Sequence, residues 1–195
     1  MARATADGRV QRGARTRAAI VDALLSLLEK GEGQPTAREI ADTAGVSLRS
    51  VFQHFADMES LYASCVERQF ARLADLRTPI DPEGSFVRRA QGLAAQRARL
   101  YERIAPVRRA AYALSPNSAV IRDGLIASAT EHRHAVAVTF ARELDHGDRR
   151  ERLAAVEVAT CFDTWDHLRR VQRLSVAASE RVVVRLVCGV LEGDG

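Results

Sequence analysis

Between Thr36 and His54 the chain gathers the side chains best suited to recognition chemistry: Thr36, Arg38, Ser47, Leu48, Arg49, Ser50, Phe52, Gln53 and His54. Hydroxyls, a guanidinium, an amide and an imidazole within one short stretch are donors for phosphate oxygens and base edges. A guanidinium at Arg49 can pair with guanine O6 and N7, with Ser50 and Gln53 expected on the same exposed side. Thr36, Ser47 and His54 are expected to act on phosphates. Bond-making chemistry lacks its parts, because no nucleophile elbow, Gly-rich phosphate loop or HExxH motif occurs. His132 and His134 lie about 200° apart around a helix and cannot share a metal unaided. Glu131 and His134 share a face at i, i+3, but no second such pair recurs as a di-metal bundle requires. The expectation is therefore a non-enzyme with no catalytic residue, no metal and no cofactor.

The elements that must hold these donors are helical, and no stretch alternates as a strand would. Ile20, Ala23, Leu24, Leu27 and Leu28 form one apolar stripe, which predicts a helix from about Thr16 to Lys30 that ends before Gly31 and Pro35. Thr36-Ala37-Arg38-Glu39 is a capping box that starts a second helix, with Ile40, Ala41 and Ala44 inward and Gly45 as its stop. Ser47 can cap a third helix whose apolar face is Val51, Phe52 and Phe55. Asp57 can cap a fourth that carries Leu61, Tyr62, Val66, Phe70 and Leu73 to about Arg77. Two helices joined at a tight glycine, the second short and polar outside, make a helix-turn-helix unit whose outer face can enter a major groove.

Charge is divided along the chain. Residues 1–17 carry Arg3, Arg9, Arg12, Arg15 and Arg17 against Asp7 alone, whereas residues 18–70 are net acidic. Residues 1–15 read as a disordered basic arm, either a phosphate or minor-groove contact or a solvated tail. No apolar run approaches the roughly 20 residues that span a bilayer, and the N-terminal stretch lacks the apolar core of a secretory signal. Cys65, Cys161 and Cys188 form no CxxC pair. Reduced thiols in a cytoplasmic protein are the expectation.

The run Thr36-Ala37-Arg38-Glu39-Ile40-Ala41-Asp42-Thr43-Ala44-Gly45-Val46-Ser47, continued through Leu48-Arg49-Ser50-Val51-Phe52-Gln53-His54-Phe55-Ala56-Asp57-Met58-Glu59-Ser60-Leu61, closely resembles the TetR family of bacterial regulators. The likeness covers about residues 12–75. Two positions depart from the usual pattern: Phe52 stands where Tyr is most frequent and Met58 where Lys is. Both usual residues donate to phosphates. The resemblance implies an all-α protein, with a helix-turn-helix head at 16–75 and a helical body at 76–195 of about nine helices in total. It also implies that the body dimerises and holds a ligand pocket.

Punctuation in the body predicts helices from about Glu83 to Leu114 with an interruption at Pro106, from Ser115-Pro116 to about Leu144, from Arg149 to Gln172, and from Ser175 onward. The apolar surface of the last two, represented by Leu153, Val156, Val183, Val187 and Leu191, is expected to form a self-complementary homodimer interface. Tyr101, Arg108, Tyr112, Phe140 and Trp165 are the pocket candidates, Arg108 as partner to an anionic group. The resulting functional reading is a homodimeric transcriptional repressor that binds a palindromic operator in double-stranded DNA and is released by a small-molecule effector. The alternative is a regulator controlled by a protein partner. No membrane contact is expected.

Overall fold

A computed structural model describes residues 2–31, 34–145 and 147–192, with side chains from Val10 onward. The described residues are helical and contain no strand, as the hydrophobic periodicity requires. The helices are α1 (Ala2–Lys30), α2 (Ala37–Ala44), α3 (Leu48–His54), α4 (Met58–Arg72), α5 (Phe86–Leu114), α6 (Ala119–Thr139), α7 (Arg149–Thr160), α8 (Phe162–Asp166) and α9 (Val176–Glu192). A π-helical turn, His167–Val171, extends α8.

The first helix is longer than its apolar stripe. It starts at Ala2 and takes in residues 2–15, so the backbone there is helical and not the disordered arm expected from composition. No proline interrupts this Ala- and Arg-rich stretch, and each of its glycines costs only about 1 kcal/mol of helix propensity. The side chains of Arg3 and Arg9 lie outside the described residues.

The chain divides into two units. The first consists of residues 1–72 with 106–125, and the second of residues 73–105 with 126–195. The boundary expected near residue 75 therefore marks only one of three crossings. In the first unit Ile20, Leu24, Leu25, Ile40, Val51 and Leu61 form the core, joined by Leu114 and Ile121 from the later segment. The segment from 106 thus belongs to the core of the head. Sequence periodicity could not show this, because an apolar stripe does not say which partner covers it.

The second unit is built around Leu93, Phe140, Val156, Trp165 and Val187. Tyr101 meets Phe162 edge to face at 5.6 Å, and Phe86 meets Phe140 likewise at 6.0 Å. Arg89 is buried beneath this core, where it pairs with Glu143 and donates to the carbonyls of Gly84 and Thr139. The helix expected to run from Arg149 to Gln172 breaks at Cys161, whose backbone is extended. There the Thr164 hydroxyl donates to the Val158 carbonyl and the Tyr101 hydroxyl donates to the Thr160 carbonyl at 2.9 Å, so side chains take acceptors at the end of α7. Neither proline nor glycine marks this break.

Packing of α7 on α9 corrects the expected dimer interface. Val156 and Val187 are wholly buried within one chain, and Leu153, Val183 and Leu191 are at most 9% exposed. These five residues are core. Their stripe repeats every four residues along α9, and the chain's own α7 covers it.

Candidate nucleic-acid interface

The recognition stretch is fixed by three local devices. Thr36 and Glu39 cap each other at the start of α2: the Glu39 amide donates to the Thr36 hydroxyl at 3.2 Å, and the Thr36 amide donates to the Glu39 carboxylate at 2.7 Å. The Thr36 hydroxyl also donates its proton to that carboxylate at 2.8 Å. These bonds, the amide's first, hold the Glu39 carboxyl below its ordinary value. Thr36 therefore has no spare proton for a phosphate, which corrects the role expected of it.

Gly45 then turns the chain. Its φ of 67° and ψ of 33° lie in the left-handed region, where glycine escapes the clash of a Cβ with the backbone. The Val46 amide reaches back to the Ala41 carbonyl at 3.0 Å and closes the turn. Ser47 caps α3 by accepting from the Ser50 amide at 3.1 Å. An acceptor role leaves the Ser47 hydroxyl proton available, so this residue, unlike Thr36, can cap a helix and donate to a phosphate together.

Val51 and Phe55 anchor the inner side of α3 in the head core, at 1% and 3% exposure. Leu48, Arg49, Phe52 and Gln53 occupy the outer side. Phe52 is half exposed and does not serve the apolar face with Val51 and Phe55. Ser50 is half-buried, turned about 100° from Arg49, so the expected triplet of Arg49, Ser50 and Gln53 reduces to Arg49 and Gln53 with Leu48 and Phe52 beside them. His54 is also half-buried, its ring near Gly13 of α1. Arg38 is exposed on α2.

Asp57 caps α4 as its position predicts, accepting from the Ser60 amide at 2.8 Å. Met58 follows and packs partly buried against the head core. On α1, Arg12 and Arg15 are exposed, whereas Arg17 donates to Ser64 at 2.6 Å and lies 4.7 Å from the centre of the Phe55 ring. Arg68 and Arg72 are both engaged by Asp22. Among the described side chains of the head, Arg12, Arg15, Arg38 and Arg49 are exposed cations that form no ion pair there. Exposed guanidiniums of this kind can pair with phosphate oxygens or with the edge of a guanine.

The pocket candidates are divided between the two units. Tyr101, Phe140 and Trp165 belong to the core of the second unit, while Arg108 and Tyr112 belong to the first. The Trp165 indole N–H donates to Glu102 at 2.9 Å, a carboxylate that also takes Arg169. Both polar aromatic ends of the Tyr101 and Trp165 pair are therefore satisfied within the chain. Among the described residues no group of three or more His, Cys, Asp or Glu side chains could hold a metal ion, and no helix is long and apolar enough to cross a membrane.

A short helix held from behind by apolar residues and presenting side chains outward, after a capped helix and a left-handed glycine, defines a helix-turn-helix head of the DNA-binding regulator class. Residues 20–65 match the family of bacterial regulatory proteins, tetR family. The match covers the helix-turn-helix head and not the body, so it is the head that is similar to that family. The fold is similar to that of a TetR-family transcriptional regulator from Mesorhizobium loti, with a TM-score of 0.67 at 20% identity over 93% of this chain and 98% of that one. A TetR-family regulator from Streptomyces coelicolor is similar too, with a TM-score of 0.67 at 19% identity over 90% of this chain and 79% of that one. No curated protein matches the sequence.

Proposed function

We propose that this chain is a cytoplasmic, homodimeric repressor that reads a palindromic operator through α3 and releases it when a small molecule binds the second unit. The observation that carries the reading is the outward face of α3, where Arg49 and Gln53 are exposed while Val51 fixes the helix from behind. A single α3 reads only a few base pairs, so two copies related by a two-fold axis are needed for a specific site. The surface for a second copy lies beside the buried stripe of α9. Leu186 is 42% exposed and is flanked by half-buried Val182 and Val190, and Val158 on α7 is 63% exposed. Gly189 adds room for close approach, since a Cβ there would meet nothing in this chain.

Release follows from linkage. An effector that binds one arrangement of the dimer better than the other moves the population by its difference in affinity for the two. The test is a binding selection on randomised duplex DNA with the wild type and Arg49→Ala. A palindromic logo that loses preference at one position per half-site in the variant supports the reading. Identical logos remove Arg49 as a base reader, and the absence of any enriched sequence removes operator recognition altogether.

A further inference from the structure

Arg97, on the part of α5 that belongs to the second unit, is 6% exposed and forms no ion pair of its own among the described residues. Its Nε–H has no acceptor among the described residues, and it takes part in no hydrogen bond or ion pair there. The nearby carboxylate, Glu131, acts on Arg97 through its charge but is held by Arg77 at 3.2 Å. Burial pushes the Arg97 pKa below its ordinary value, against the pull of Tyr101 and Glu131 and with the help of Arg77.

The other buried arginines of this unit show how the fold ordinarily treats such a charge. Arg89 has a carboxylate and two carbonyls, and Arg152, whose Nε is also without an acceptor among the described residues, still donates a terminal N–H to the Leu191 carbonyl. An arginine does not escape burial by losing its proton. A buried ion without a partner costs several kcal/mol, so a free guanidinium is retained where an anion arrives from outside. On the same helix Leu93, Ala94 and Tyr101, at i−4, i−3 and i+4 from Arg97, are buried, so its side of α5 is small and apolar. A planar fork in an apolar setting favours a carboxylate, which it can hold through two parallel bonds.

We infer that the second unit binds a small apolar molecule carrying a carboxylate, with Arg97 as the residue that takes the anionic group. This rests on the effector reading above and replaces Arg108, which lies in the other unit, as the anion partner.

The test uses the full-length protein, with acetate and octanoate as probes and octanamide as the neutral control. Thermal unfolding is followed for the wild type, Arg97→Met and Arg97→Lys. Octanoate at a hundredfold excess over its dissociation constant is expected to raise the wild-type Tm by roughly 5–10 °C. Octanamide should leave it unchanged, and acetate should give a smaller rise at high concentration. Arg97→Met, which removes an unpaired buried charge, is expected to melt at or above the wild-type temperature and to lose the octanoate shift, while Arg97→Lys keeps part of it.

The inference is overturned if Arg97→Met melts well below the wild type, since the guanidinium would then have a partner within the chain. It is also overturned if octanoate shifts the wild type and Arg97→Met equally, or shifts neither. DNA release, measured by fluorescence anisotropy, separates this inference from the reading it rests on. Octanoate that binds through Arg97 without releasing DNA leaves the carboxylate site standing and removes the effector role. A neutral compound that releases DNA equally from the wild type and Arg97→Met does the reverse.

Discussion

Leu186 and Val187 are neighbours on α9 with opposite environments, and substituting each with Glu separates core from interface. Val187 is wholly buried. A carboxylate there would be unpaired in an apolar core at a cost of several kcal/mol, comparable to the 5–15 kcal/mol that holds a domain together. Val187→Glu is therefore expected to yield unfolded or insoluble chains. Leu186 is 42% exposed, and fully burying a leucine is worth about 1.5–3 kcal/mol. A partner that covers the exposed part gains about 0.6–1.2 kcal/mol from each protomer, or about 1–2.5 kcal/mol per dimer. Leu186→Glu forfeits this and brings two like charges toward the two-fold axis. The dimer dissociation constant should rise roughly five- to seventyfold over that of the wild type. Sedimentation equilibrium with far-ultraviolet circular dichroism reads both properties. A folded Leu186→Glu protein that associates as tightly as the wild type would refute the interface, and a folded, soluble Val187→Glu protein would refute the core assignment.

The remaining expectations concern the head and two titratable groups. Gly45→Ala places a Cβ in open space, so its whole cost is the left-handed backbone, about 1–2 kcal/mol by urea denaturation; a neutral substitution would mean that the turn relaxes. Ser47→Ala removes both a helix cap and a phosphate donor, and should lower stability by about 1 kcal/mol and weaken all DNA sequences alike, whereas Thr36→Ala should lower stability only; equal losses of affinity in nitrocellulose filter binding would contradict the hydrogen-bond assignment. The Arg89 side chain holds the Glu143 carboxyl below its ordinary value of 4.5, so the stability it adds is complete above that value and fades as pH falls through the lowered one; Glu143→Gln should flatten the acid limb of urea midpoints measured against pH. Burial pushes the Cys65 thiol up to about 12, which leaves roughly one thiolate in ten thousand at pH 8, and iodoacetamide followed by mass spectrometry should modify Cys65 only after unfolding.

The head was legible because each of its signals is local. The Thr36–Glu39 box, Gly45, Ser47 and Asp57 act within three or four residues, and the structure places all four where their chemistry requires. The outer side of α3 was legible at Arg49 and Gln53 but not at Ser50, because rotation around a short helix depends on how Val51 and Phe55 seat it. Val156 and Val187 were misread for a different reason. Periodicity marks a residue as apolar-facing without saying whether its cover is the same chain or another copy. The hydrogen bonds of Tyr101 and Trp165 were not legible, because an aromatic type carries no record of its partner. Arg97 was passed over within an arginine-rich helix, where nothing in the sequence distinguishes the guanidinium that has no partner.

Leu114 and Ile121 complete the core of a head whose third helix ends at His54. A ribosome that has released the first 75 residues has made every side chain of that surface, yet the apolar faces of α1 and α4 still await their last cover. The nascent head is thus committed to remain unfinished until residue 125 has emerged. A fragment cut at residue 75 repeats that unfinished state permanently, with apolar surface left open to aggregation. The turn and its helices can be copied into a peptide, but part of the core that seats α3 is encoded more than sixty residues beyond Gln53.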